Sequence, residues 1–429
     1  MTSKLATMYS EAYVWAWLPD ATAPVVAGLL SKQGEQLIFN YGRTYLARPD
    51  AVSLYDPELP LQSGSIPLVP GLSMPGCLRD ASPDAWGRRV LINRNLGAKG
   101  MRTAEVELDE LTYLLESGSD RIGALDFQQS PTQYAARQAH QSSLEDLLTA
   151  AEKVEQGIPL SPQLDQALLH GTSLGGARPK ALLDDGERKL IAKFSASNDL
   201  YSVVKAEFIA MRLARKVGLD AAAVQLRSAM GKDVLLIERF DRVRQERLWC
   251  RRSMVSALTM LELDEMMAAY ASYETLAQII RHRFVKPAAA LRELFSRIVF
   301  NILCGNTDDH ARNHAAFWNG HQLALTPAYD ICPQSRTGQQ ASQAMLIHDG
   351  DRRSQLATCI AGASSFLLGR EDAIAIVNHQ VSIIEGEWQS TCDEANLSEV
   401  DRTLFWRRQF LNPFAFLNAP EGVHIPRST

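Results

Sequence analysis

Asp308, Asn313 and Asp330 are the residues whose types and spacing best fit chemistry in this sequence. Asp308 precedes Asn313 by five positions in NTDDHARN. Asp330 follows in LTPAYDI, after two short strand-like runs, AAFW and QLAL, joined at Asn319-Gly320. An aspartate beside a hydroxyl can orient it and accept its proton, while Asp and Asn oxygens suit a hard cation such as Mg²⁺. A base, a five-residue step to an amide ligand and a second carboxylate beyond a hairpin are parts of a phosphoryl-transfer site. Asp309 cannot replace Asp308 without breaking the step to Asn313. Taken singly, such an Asp-to-Asn step also occurs in ordinary capped and solvated loops.

These residues need a rigid support. Leu291, Leu294, Phe295, Ile298, Val299, Ile302 and Leu303 share one helical face, which predicts a buried helix that stops at Gly305. Upstream, Thr172-Ser173-Leu174-Gly175-Gly176-Ala177 is rich in small residues, so its backbone N–H groups could approach phosphate oxygens, with Lys180 adding a cation. A plain connector fits that stretch equally well. Strands are expected at 181–183 and 189–194 around a turn at Asp185-Gly186, placing Lys193 inside the second, as a phosphate-side lysine or as one exposed on an edge strand. Glu207 falls on a helix beside the apolar face of Ala206, Ile209, Ala210, Leu213, Ala214 and Val217, as a lysine-pairing carboxylate or as a solvated one. DVLLIERFDR reads as a strand with a charged tip. In a kinase-like lobe backbone groups near Glu238, Arg239 and Phe240 could meet adenine there, while by itself an apolar strand with a polar end is core and nothing more. There is no GxxxxGK[ST], which disfavours a P-loop enzyme.

The 429 residues allow two or three domains. A net charge of −5 argues against a dedicated nucleic-acid binder. The six scattered cysteines form no zinc spacing and read as reduced thiols, so any metal must use oxygen ligands. No export signal or membrane-length apolar run is seen, and a cytoplasmic location is expected. Strands at 13–18 and 37–41, a helix after Pro83 and another at 144–156 suggest an N-terminal accessory domain over 1–160. A mixed, phosphate-loop-bearing segment would follow over 161–245 and a helical lobe over 246–429. The expected class is α+β, a two-lobed protein-kinase-like core with a β-rich accessory domain.

SPDAWGRR, SGSDRIGALDF, TSLGGARPKALL, IAKF, AEFIAMRLARKVGL, LLIERFDR, NTDDHARN and LTPAYDI, in that order, resemble the HipA family of serine/threonine kinase toxins from bacterial type II toxin–antitoxin systems. The resemblance implies ATP and Mg²⁺, with Asp308 as base and Asn313 and Asp330 as metal ligands. It implies nucleotide contacts from Gly175, Gly176, Ala177, Arg178, Pro179, Lys180, Lys193, Glu238, Arg239 and Phe240. His310, Ala311, Arg312, Asn313, Tyr329 and Asp330 complete that set, and His310 also suits a purely structural role in ordering its loop. Glu207 would support Lys193, and Ser173 would be autophosphorylated, with Thr172 as a second acceptor. A phosphate there would repel the nucleotide phosphates. Arg178 and Pro179 depart from the better-known loops of the family. The implied partners are a HipB-like helix-turn-helix antitoxin, operator DNA only through that antitoxin, and a protein substrate such as an aminoacyl-tRNA synthetase; no membrane is implied. A small-molecule or lipid kinase, or an ATP-binding co-repressor, would use the same core.

Overall fold

In this computed structural model the described residues are 9–97, 108–137, 142–169, 172, 176–196, 199, 201–336, 338 and 340–426. The chain forms two compact units. The first comprises 1–198, 227–255 and 317–321; the second comprises 199–226, 256–316 and 322–429. The class is mixed α+β, with a β-rich N-terminal region and a largely helical C-terminal part.

The first unit opens with an antiparallel sheet in the order β3-β2-β1-β4. Its strands are β1 (Glu11–Ala16), β2 (Val25–Gln33), β3 (Gln36–Tyr41) and β4 (Leu125–Gln128). The patterns at 13–18 and 37–41 mark two of them. β2 lacks a clean alternation and ends in polar Ser-Lys-Gln, and it escapes a reading based on aromatic and β-branched runs. The helix Leu144–Glu155 begins at Ser143, whose side chain accepts the N–H of Asp146, and it buries Leu147, Leu148, Ala151 and Val154.

The second sheet has the order β5-β6-β8-β7: β5 (Lys180–Asp184), β6 (Lys189–Phe194), β7 (Val224–Ala229) and β8 (Lys232–Glu238). Register pairs Lys180 with Lys193 and Lys193 with Leu235, so two lysines stand side by side on one face. A hairpin follows, β9 (Arg242–Gln245) with β10 (Leu248–Arg251).

The second unit is built on the helix Pro287–Cys304, where Leu291, Leu294, Phe295, Ile298, Val299, Ile302 and Leu303 are all fully buried. The helices Tyr273–Arg283 and Arg370–Glu394 pack against it. The helix Val203–Lys216 lies along Arg370–Glu394, with Lys216 bridging Glu387 and Glu394. All six cysteines are buried thiols. Among the described residues no helix is long and apolar enough to cross a membrane.

Candidate active site

The helix Pro287–Cys304 ends where the chain turns left-handed at Gly305, with φ at 73°. A Cβ at Gly305 would stand 2.7 Å from the Gln409 carbonyl oxygen, so glycine is required both for conformation and for space. Beyond it the loop is fixed by Asp309, which is wholly buried. Its Oδ2 accepts from Asn301 Nδ2 at 2.7 Å and from the Tyr273 hydroxyl, and His314 Nε2 lies 3.1 Å away. Burial alone would raise this carboxyl's pKa; His314 and the hydrogen bonds outweigh it and hold the pKa below the ordinary value. Asp309 is therefore an anchor that leaves its neighbour Asp308 facing outward. Asp309→Asn keeps the shape and loses the charge; it is expected to cost about 1–2 kcal/mol, read as a lower unfolding midpoint in urea.

Asp308 is exposed, and its carbonyl accepts from the His310 N–H at 2.9 Å and from Asn313 Nδ2 at 3.2 Å. The Asn313 N–H in turn donates to the His310 carbonyl at 2.8 Å, inside a short 3₁₀ turn over Ala311–Asn313. The five-residue step is thus a closed loop in which the Asn313 side chain is tied to the backbone of Asp308. Because the amide nitrogen is the donor, Oδ1 is the atom suited to a cation. His310 Nδ1 is buried with no hydrogen-bond partner among the described residues.

Strands Ala315–Trp318 and Leu323–Leu325 follow, and the Thr326 N–H closes onto the Ala315 carbonyl at 3.1 Å. The chain then returns: Tyr329 donates its hydroxyl to the Arg312 carbonyl at 2.7 Å, tying the Asp330 segment to the loop. Asp330 adopts φ of 58°, a left-handed conformation that non-glycine residues seldom hold and that clusters at functional sites. Partial desolvation pushes the Asp308 carboxyl above its ordinary pKa; His310 opposes this, while the charges of Asp330 and Asp309 add to it. The Asp308 carboxyl thus feels the charge of Asp330, and the Asn313 amide oxygen and the Asp330 carboxylate are donors of the type that suits a hard divalent cation.

In the first unit, Lys180 and Lys193 are 5% and 8% exposed, so two ammonium groups are nearly buried on adjacent strands. Ser173 and Gly175 lie outside the described residues, but the two ends of their loop are held. Gly176, with φ of 93°, donates its N–H to Asp84 Oδ2 at 2.6 Å, and its carbonyl accepts the Trp86 N–H at 3.2 Å. Trp86 Nε1 donates to the Lys180 carbonyl at 2.9 Å. At the other end the Thr172 hydroxyl accepts the Gly118 N–H at 3.0 Å, and a Cβ at Gly87 would fall 1.9 Å from the Thr172 carbonyl oxygen. The SPDAWG stretch therefore cradles both ends of the small-residue loop. Gly87→Ala must push helix and loop apart. It is expected to lower stability by about 1–3 kcal/mol despite alanine's better helix propensity, as a fall in Tm. Ala177 is exposed, Arg178 half-buried and Pro179 buried, the last accepting the Phe194 N–H at 3.0 Å.

At the end of β8, Glu238 is exposed, while the Arg239 N–H completes the sheet by donating to the Lys189 carbonyl at 2.8 Å. Phe240 packs edge-on against Phe317. The Arg239 side chain points into a buried ion network, not toward a ligand. It pairs with Asp120 at 3.0 Å and Asp241 at 2.8 Å, and Arg242 pairs with the same two carboxylates at 2.6 and 2.9 Å. Asp241 also accepts the Gly123 N–H at 2.8 Å. The RFDR and SDRIG stretches are thus complementary halves of one lock. Their charge alternation was visible in sequence, but nothing there says that two segments over a hundred residues apart meet. Glu207 lies in the second unit, 2% exposed on its helix and not solvated. Asp84, Asp120, Asp241 and Tyr273 were not singled out by sequence, because each acts through a long-range hydrogen bond, and His314 was not because nothing local marks its pairing with Asp309, five residues away, as buried.

A HipA N-terminal domain model matches residues 21–128, and a HipA-like C-terminal domain model matches residues 172–388, half of the chain. The chain belongs to the HipA family. It is similar to a putative kinase, Y4mE, of Sinorhizobium fredii, at 29% identity over 37% of this chain and 41% of the relative. It is also similar to the serine/threonine-protein kinase toxin HipA of Shewanella oneidensis, at 26% identity over 37% of this chain and 42% of that protein. The match thus spans only about two fifths of these curated relatives. A solved Shewanella oneidensis complex of HipA, HipB and operator DNA contains a chain of the same fold, with TM-score 0.64 at 19% identity, covering 92% of this chain and 93% of that one.

Proposed function

We propose that this chain is an ATP- and Mg²⁺-dependent serine/threonine protein kinase acting as the toxin of a HipA-type toxin–antitoxin pair in the cytoplasm. The observation that carries this reading is the closed loop of Asp308 and Asn313, tied by Tyr329 to a left-handed Asp330. Asp308, exposed and crowded by negative charge, is the base that takes the proton of an acceptor hydroxyl as that oxygen attacks the γ-phosphorus and ADP leaves. Asn313 and Asp330 would hold Mg²⁺, which supplies charge neutralisation at the phosphates. Lys193 and Lys180 place positive charge for phosphate, and Gly176 to Pro179 form the described end of the phosphate loop. Backbone groups at Glu238 to Phe240 recognise adenine. His310 to Arg312 with Tyr329 complete the nucleotide contacts.

The named relatives support a kinase, and the solved HipA–HipB–DNA complex supports a HipB-like antitoxin as partner, with operator DNA reached through it. An aminoacyl-tRNA synthetase is the proposed class of protein substrate. Autophosphorylation falls on Ser173 or on its neighbour Thr172. The test is incubation with γ-labelled ATP, Mg²⁺ and cell lysate, followed by phosphopeptide mapping. Label on serine or threonine of one host protein, and on 172–173 of the chain itself, is expected. Label confined to small molecules would replace this reading with a metabolite or lipid kinase. ATP binding without transfer would leave a co-repressor.

A further inference from the structure

The first unit contains a cavity of about 740 Å³, and none of the nucleotide or catalytic residues discussed above lines it. Its walls include Trp17, Tyr134, Trp249, Lys189, Asp120 and Arg251. The Arg251 guanidinium sits 3.5 Å from the centre of the Trp17 ring, and Tyr134 packs edge-on against the same indole at 5.6 Å. On β10, Trp249 carries the Lys189 ammonium 5.5 Å from its ring centre. Two aromatic–cation pairs therefore line one cavity.

The charges do not balance at Arg251. Arg239 and Arg242 share Asp120 and Asp241, and Lys189 is paired with Asp184. Arg251 donates to the Ser119 carbonyl at 2.8 Å, and among the described residues it has no carboxylate within ion-pair distance. Burial, and then the like charge of Arg242, push its guanidinium down to about 10. Asp120 and Asp126 attract it only from beyond ion-pair distance, so the partly desolvated cation is incompletely neutralised, and a planar guanidinium is best relieved by an oxyanion that takes two N–H groups at once. Ordinary small-molecule sites have this volume and this mix of flat apolar walls with a few placed polar groups.

We propose that this cavity binds a small aromatic oxyanion, its phosphate or carboxylate on Arg251 and its ring against Trp249 and Tyr134. The site is independent of the kinase reading. The probes are 1-naphthyl phosphate, 1-naphthoate and neutral 1-naphthol, titrated by calorimetry into the full chain with a non-hydrolysable ATP analogue and Mg²⁺ at saturation, which removes any contribution from the proposed kinase site. At least one anion is expected to bind on the order of tenfold or more tighter than 1-naphthol, and Arg251→Met is expected to abolish that difference. The phosphate and carboxylate arms decide which oxyanion is preferred. Trp249→Leu, on the half-exposed hairpin, is expected to weaken all three probes, with an unchanged melting curve showing that the fold is kept. Equal binding of anion and alcohol, no binding at all, or an anion preference that survives Arg251→Met would overturn the proposal.

Discussion

Replacing Asp308 by alanine is expected to slow phosphoryl transfer by on the order of 10²–10⁴-fold, the usual contribution of a positioned general base. The geometry makes the effect specific to Asp308. Its neighbour Asp309 has the same carboxylate but is buried and committed to Tyr273, Asn301 and His314, so it cannot turn outward to substitute. Single-turnover rates with saturating ATP give the number directly. The same position carries an opposite expectation for stability. The folded state holds the Asp308 carboxyl above its ordinary pKa, so at neutral pH its ionised form disfavours folding. Asp308→Asn, which removes the charge, is therefore expected to melt at a higher temperature than wild type in the absence of divalent cation while losing transfer. A variant that both melts lower and loses transfer would instead mark Asp308 as a structural residue.

The largest loss of stability is expected from Asp241→Ala. This carboxylate is fully buried and faces two guanidinium groups that are themselves buried. Truncation leaves Arg239 and Arg242 sharing Asp120 alone and strips the Gly123 N–H of its acceptor. Breaking a buried pair from one side costs about 3–5 kcal/mol, most of it the penalty of the charge left behind. Chemical denaturation followed by tryptophan fluorescence measures it. The sign of the pH dependence follows from the same contacts. Burial would raise the Asp241 pKa, but Arg239 and Arg242 outweigh it and hold it below the unfolded value. The stabilisation is complete above the ordinary aspartate range and fades as pH falls through the lower, folded value. Wild type should thus lose more stability on acidification than Asp241→Asn.

Much of the site was legible because its logic is local. The buried face from Leu291 to Leu303, the stop at Gly305, the Asp308-to-Asn313 step and the hairpin before Asp330 are all short-range patterns, and each appears in the fold. Lys193 and its strand were equally readable, since the turn at Asp185-Gly186 fixes the register that sets Lys180 beside Lys193. What stayed hidden were contacts closed over long separations. Asp84 reaching Gly176, and Asp120 meeting Arg239, depend on tertiary packing that no spacing encodes. The strand Val25–Gln33 was missed because its side chains lack a two-residue alternation. At Arg239 the sequence reading concerned backbone groups near the end of β8; the place of its side chain in a buried ion network with Asp120 and Asp241 was not legible, because Asp120 lies far upstream.

The decisive measurement is transfer of label from γ-labelled ATP by purified wild-type chain, Asp308→Ala and Asp330→Asn across a Mg²⁺ titration, with circular dichroism confirming that both variants are folded. Wild type should label protein serine or threonine in a Mg²⁺-dependent manner. Asp308→Ala should be nearly inactive at every Mg²⁺ concentration, and Asp330→Asn should need far more Mg²⁺ for any activity. Mg²⁺-independent labelling, or wild-type transfer by folded Asp308→Ala, would contradict the assignment of base and metal ligands.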